Sequence, residues 1–270
     1  MIIGIDIGST TTKAVSIQEG QVIHRVKTKA SDAVTSATGA FGKMIVENSV
    51  KIGEIQRIMI TGAGAPKIKD DLFGIPTGKV DEIKSIGAGG TFLAGRDNII
   101  IANIGTGTAI IDARNGGVSH LGGSGVGGGT ILGLAKRLFS VSEFKSVMEL
   151  AGRGRLNQVD LLMEDIMETD LSFLNRESTA SNFGKMLDNA RNEDIALALI
   201  NMVYQVIGML SVFAAKSRNT DKVVVTGNGS GNLIGRGVLE QITLMHQVRF
   251  EYPRDAEYTT AIGAALSAAP

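Results

Sequence analysis

The sequence predicts an α/β fold of two related lobes facing a common cleft. Three observations carry this reading of the 270-residue chain. An apolar strand running into a glycine turn and a hairpin occurs twice, around Gly8 and around Gly105. A strand ending in Thr-Gly-x-Gly also occurs twice, at 58–64 and 223–229. Glycine is in excess, 35 of 270 residues or about 13% against a usual ~7%, and it gathers at these same turns.

Residues Met1 to Ile7 are apolar and β-branched and read as the first strand. Gly8-Ser9-Thr10-Thr11-Thr12-Lys13 then offers backbone amides, hydroxyl donors and a fixed positive charge, which phosphate oxygens require. Lys13–Gln18 and Gln21–Thr28 read as strands joined at Glu19-Gly20. A Walker loop or a Rossmann turn would continue into a helix instead, so both are disfavoured. The plainer reading is a polar hairpin turn with no ligand, which Asp6, late in an apolar strand and aimed at the turn, argues against.

The device repeats in the second half. Asn98–Ile104 leads into Gly105-Thr106-Gly107-Thr108, a strand from Ala109 to Ala113, the turn pair Asn115-Gly116 and a returning strand over Val118–Leu121. From Gly8 to Gly62 the separation is 54 residues, and from Gly105 to Gly227 it is 122. The extra length predicts an insertion at about 128–190, reading mostly as helical. The first lobe is expected over residues 1–97 and the second over 98–270. Six of the eight residues from Gly122 to Gly129 are glycine, and they run into a helical pattern from Thr130 to Phe139. Amides at such a helix start would form an anion site.

Composition removes other classes. A formal net charge of zero provides no field for nucleic acid. The absence of cysteine excludes disulfides, thiolate zinc sites and iron–sulfur clusters. His24, His120 and His246 lack ligand spacing. No signal peptide is visible, and cytoplasm is the expected compartment. The segment Ile195–Ala215 is long enough to span a membrane, but Asn201, Gln205 and Gly208 give it a polar or small stripe. A buried helix, at a subunit contact, is the expectation.

Two facing lobes with paired glycine–threonine turns resemble the superfamily of acetate and sugar kinases, actin and heat-shock chaperones. That likeness implies an actin-like ATPase fold of duplicated ribonuclease-H-like lobes. Within it, Asp6–Lys13, Lys79–Glu82, Asn103–Thr108, Leu121–Thr130 and Thr179–Gly184 look like the motifs of type II pantothenate kinases. Those enzymes phosphorylate pantothenate to begin coenzyme A synthesis.

The resemblance implies ATP and magnesium as cofactors and a homodimer. It assigns Asp6, Gly8, Ser9, Thr10, Thr11, Thr12 and Lys13 to the nucleotide phosphates, with Asp6 ordering Mg2+ through water. Thr106, Gly128, Gly129, Thr130, Ile131 and Leu132 would also meet the nucleotide, with Phe144 and Asn228 near adenosine. Glu82 would be the catalytic carboxylate and would contact the substrate together with Thr106 and His120. The alternative for Asp81 and Glu82 is that they simply begin a helix, where acids are favoured. His120 stands where several family members place an arginine for the pantothenate carboxylate. The opening motif also resembles ATPase activators of radical acyl-CoA dehydratases, whose cluster cysteines this chain lacks. Repressor-related sugar kinases carry a cysteine-rich zinc motif, also absent. An actin-like ATPase or sensor, or a kinase of another small hydroxylated metabolite, remains as the competing expectation.

Overall fold

The computed structural model describes residues 1–167 and 176–268. In the first half come β1 (Ile2–Ile7), β2 (Thr11–Gln18), β3 (Gln21–Lys29), α1 (Ala33–Asn48), β4 (Arg57–Thr61), β5 (Thr77–Lys79) and α2 (Glu82–Ala94). The second half has β6 (Ile99–Ile104), β7 (Thr108–Arg114), β8 (Gly117–Ser124), α3 (Gly128–Phe139), α4 (Phe144–Ala151), β9 (Leu161–Leu162) and β10 (Thr179–Ser181). It continues through α5 (Asn192–Ser217), β11 (Lys222–Thr226), α6 (Leu233–His246), β12 (Arg249–Glu251) and α7 (Thr259–Leu266).

The two main sheets have one topology. The first runs β3-β2-β1-β4-β5 and the second β8-β7-β6-β11-β12. In each, an antiparallel meander is joined to parallel strands. Both hairpin pairs named from sequence have positive φ at each central residue, 51° and 74° at Glu19-Gly20 and 53° and 70° at Asn115-Gly116. That is the turn whose twist matches the flanking strands.

Alternation along each central strand decides what packs where. Ile3, Ile5 and Ile7 face Ala37, Phe41 and Met44 of α1. Ile100, Ala102 and Ile104 face α5, while Ile99 and Ile101 face Ile86 of α2. Fully burying a side chain of this size contributes roughly 1.5–3 kcal/mol. The last helix, α7, lies not on its own sheet but on the first, with Ala261, Ile262 and Ala265 against Val15 and Ile17. Thus α2 and α7 are exchanged between the halves, and a cut at 97/98 separates the sheets but not these helices. They cross backbone to backbone: a Cβ on Gly89 would strike the Thr259 carbonyl, and one on Gly263 the Ser85 carbonyl.

The inserted stretch is less helical than its composition suggests. After α4 the chain makes 3-10 turns at Leu156–Gln158 and Met163–Asp165 and the short β9–β10 pair. Residues 168–175 of the expected insertion lie outside those described. The fold here depends on one buried carboxylate. Asp160 accepts from Thr179 Oγ1, Asn182 Nδ2, the Phe183 amide and Asn201 Nδ2 at 2.8–3.2 Å.

Among the described residues, α5 is the one helix long and apolar enough to cross a membrane, and most of that stretch is buried inside the protein. Its polar and small stripe faces inward: Asn201 meets Asp160, Gln205 meets Asn182, and Gly208 lies against Leu239 and Ile242 of α6. The stripe therefore serves the interior, and the exposed face of α5 carries Val206 and Phe213.

Candidate active site at the neck of the cleft

Each lobe delivers its turn to the cleft by the same local geometry. Strands β1 and β6 carry Asp6 and Asn103 one residue before their ends, beside Thr61 of β4 and Thr226 of β11. The glycines that follow, Gly62 and Gly227, have φ of +87° and +80°, a conformation that strains other residues. A Cβ at Gly62 would stand 2.6 Å from Asp6 Oδ1, and one at Gly227 would stand 2.9 Å from Asn103 Oδ1. Side chains are excluded there so that each strand end can approach the turn.

The two turns meet. Ser9 Oγ and Thr106 Oγ1 share a hydrogen bond of 2.7 Å, and Asn228 Nδ2 donates to Thr11 Oγ1 at 3.1 Å. On either side of this contact lies a cavity. One, of about 710 Å³, is lined by Asp6, Lys13, Glu82, Ile83, Ile86, Asn103 and His120. The other, of about 570 Å³, is lined by Lys27, Lys29, Gly128, Gly129, Ile131, Leu132, Phe144 and Tyr204. Thr10, Thr11, Gly105, Thr106 and Asn228 border both. Those five residues form a neck between two chambers.

Charge in the first chamber is confined. Desolvation pushes the Asp6 carboxyl up to about 6, against the pull of Lys13, its direct cross-strand partner. Burial lowers the Lys13 ammonium, with Asp6 opposing and Lys27 adding to the shift. Desolvation, followed by repulsion from Asp81, raises Glu82 above its ordinary value. Asp81 and Glu82 divide the two roles that sequence leaves open. The Asp81 carboxylate accepts from the Lys84 amide at 3.0 Å and caps α2, whereas Glu82 lines the chamber.

Among the described residues no group of three or more histidine, aspartate or glutamate side chains converges on a metal position. The donor set suits magnesium nonetheless. That ion keeps several waters, needs only one or two carboxylates and takes its remaining ligands from substrate phosphates. Asp6, a buried carboxylate at the mouth of the turn whose burial raises it to about 6, is the residue that fits such a role.

Several sequence expectations change at this resolution of detail. The strand expected from Lys13 begins earlier, so that Thr11 and Thr12 belong to β2 rather than to the turn, and alternation sends Thr12 to the α1 side, where it is fully buried. Thr12 lines neither chamber. The amides of Gly128 and Gly129 are not open to an anion, because they donate to the carbonyls of Gly105 and Thr106 at 3.0 and 2.9 Å. The glycine run thus fastens α3 onto the second turn. Thr130 Oγ1 donates to Gly125 O and accepts from the Gly127 amide, and it too lines neither chamber. Gly122, Gly123 and Ser124 extend β8 rather than forming a loop. A bulge at Leu121 separates His120, paired with Ile111, from Gly122, paired with Ile110. Lys27, Lys29, Glu143 and Tyr204 were not visible as site residues, since basic residues alternating on an edge strand also describe a solvated edge.

The family described as Fumble matches residues 97–250. A type II pantothenate kinase of Bacillus thuringiensis subsp. konkukian (strain 97-27) is 30% identical over 98% of this chain and 97% of its own length. One from Oceanobacillus iheyensis is 28% identical, covering 98% of each. In three dimensions, the activator of the 2-hydroxyisocaproyl-CoA dehydratase from Clostridium difficile, with bound ADPNP, superposes with a TM-score of 0.70 at 20% identity. It covers 99% of this chain and 93% of that one. A ROK family glucokinase from Streptomyces griseus, in complex with glucose and AMPPNP, gives 0.59 at 14% identity over 98% of both. The fold is that of the actin, sugar kinase and heat-shock chaperone superfamily: two sheet-bearing lobes with a cleft between them.

Proposed function

The chain belongs to the type II pantothenate kinase family, and from that premise we propose that it transfers the terminal phosphoryl group of ATP to the primary hydroxyl of pantothenate. One observation carries the reading: two chambers of ligand size meet at a neck of hydroxyls and backbone, with a carboxylate of raised pKa on one side only.

In this reading the nucleotide occupies the chamber of Leu132, Phe144 and Tyr204, and its phosphates enter the neck. Pantothenate occupies the chamber of Glu82 and His120. The hydroxyl oxygen attacks the terminal phosphorus while the bond to the β-phosphate oxygen breaks and ADP leaves. Glu82 accepts the hydroxyl proton. Lys13 and the hydroxyls of Ser9, Thr10 and Thr106 hold the charge of the moving group, and positioning and charge stabilisation dominate this chemistry. Magnesium, held through water by Asp6, would neutralise phosphate charge. His120, which lines that chamber, donates a ring N–H to the pantothenate carboxylate.

The test is ADP release with pantothenate against a panel of sugars and short hydroxy acids. Turnover with pantothenate alone is expected. Turnover of a different alcohol refutes the substrate, and acceptor-independent hydrolysis favours an actin-like ATPase or sensor. Glu82→Gln should keep ATP binding and lose roughly 10²–10⁴-fold in turnover. A homodimer is part of the proposal. Phe213 is 62% exposed, and beside it Leu210, Ala214 and Leu121 line an apolar groove between α5 and the edge strand β8. Phe213→Asp should yield a monomer in sedimentation.

A further inference from the structure

Strand β3 carries Arg25, Lys27 and Lys29 on one face, and that face turns toward the second lobe. Each of the three meets an acid of the second half: Arg25 meets Asp255 at 2.7 Å and Lys27 meets Glu257 at 2.8 Å, both beyond β11, while Lys29 reaches Glu143 ahead of α4 at 3.5 Å. The contacts loosen from the interior outward. Side-chain exposure is 27% and 17% in the first pair and 89% and 70% in the last. The outermost pair is solvated and contributes little.

Lys27 differs from its neighbours in two respects. It is the direct cross-strand partner of Lys13, so two ammonium groups stand opposite each other on one face. Like charges so placed repel and are ordinarily avoided in sheets. The two lysines also open on different chambers: Lys13 lines the one holding Glu82, and Lys27 lines the one holding Phe144. A chain of phosphates threading the neck would pass both. Arg25 lines neither chamber.

We propose that Lys27 is a second phosphate-binding residue, taking an α- or β-phosphate oxygen on the nucleotide side of the neck while Lys13 takes the transferred group. Glu257 is then the resident counter-ion of Lys27, exchanged for a phosphate oxygen when the nucleotide binds. This inference rests on the ATP reading of the site.

Calorimetric titration with ATP, ADP and adenosine separates the two claims. Lys27→Ala should weaken ATP and ADP by about 10- to 100-fold, the loss expected for one charge-assisted hydrogen bond, with adenosine unchanged. Lys27→Arg should recover most of the loss. Glu257→Gln, which removes the competing carboxylate, should tighten ATP and ADP. The proposal is overturned if Lys27→Ala binds ATP like the wild type, or if adenosine weakens in parallel. It is equally overturned if Glu257→Gln weakens ATP as much as Lys27→Ala does. A wild-type protein that binds no adenine nucleotide removes the ATP reading and this inference together. Wild-type binding with an indifferent Lys27 removes this inference alone.

Discussion

The two lobes share a backbone plan and differ in what they hang on it. Gly62 packs over Asp6 as Gly227 packs over Asn103. Gly64 crowds Cγ2 of Ile7 as Gly229 crowds Cγ2 of Ile104. By register, Lys13 faces Asp6 while Ala109 faces Asn103. Counted back seven residues from the crossing glycines Gly89 and Gly263, one lobe has Glu82 and the other Ala256. Every ionisable member of the set lies in the first half. Duplication therefore supplies the cradle, and the chemistry comes from breaking its symmetry. A second carboxylate at 103 would share the chamber of Asp6, where two acids in one site cannot both ionise easily.

Making the lobes alike should abolish the activity. Asp6→Asn is expected to lower turnover by about 10³-fold or more, since magnesium positioning is lost, with the circular dichroism spectrum unchanged. Adding Asn103→Asp to that variant should not restore it; recovery would mean the lobes are interchangeable.

Acid should have the next largest effect. The Asp6 carboxyl is charged only above about 6, so kcat/KM for ATP should be flat at higher pH and fall as pH drops through about 6. The raised Glu82 steepens the same limb, and Glu82→Gln variants with residual turnover should show the shallower one. Independence of pH down to 5 would show that Asp6 need not be ionised.

The glycine pair probes what the lobes share. Gly62→Ala and Gly227→Ala each place a side chain at positive φ against its strand end, and each should cost roughly 1–3 kcal/mol in urea unfolding. Unequal losses would show that one lobe yields where the other does not. The smallest effect is a difference in sign. Thr12 and Thr108 are equivalent by register, facing Ile7 and Ile104, but Thr108 Oγ1 donates to Val126 O at 2.8 Å while Thr12 Oγ1 is buried without a partner. Thr108→Val should destabilise by about 1 kcal/mol, and Thr12→Val should be neutral or stabilising.

What sequence revealed and what it missed divide along the distance between partners. Hairpin turns such as Asn115-Gly116 and strand ends such as Thr226-Gly227 are local, and each states its own backbone requirement. The glycine turns after Ile7 and Ile104 were legible for that reason, whereas the division of roles between Asp81 and Glu82 was left open by the residues themselves and was assigned only through the resemblance. Facing was not. Whether Thr11 or Thr12 looks into the cleft depends on a β2 register anchored by Lys13 opposite Asp6 and Lys27. The insertion misled because its organiser, Asp160, collects donors up to Asn201, far beyond any helical period. The exchange of α2 and α7 leaves only small residues as a trace, and small residues have many causes.

That crossing has one more consequence. With no side chain between them, the two helices touch as the arms of a pair of shears touch at the rivet. Backbone contact sets their closest approach, and a turn about that contact changes the angle between them. Glu82 starts one arm, and Glu257 lies just ahead of the other. A change in that angle would carry both carboxylates with it, so the width of the mouth and the position of Glu82 are tied to one contact.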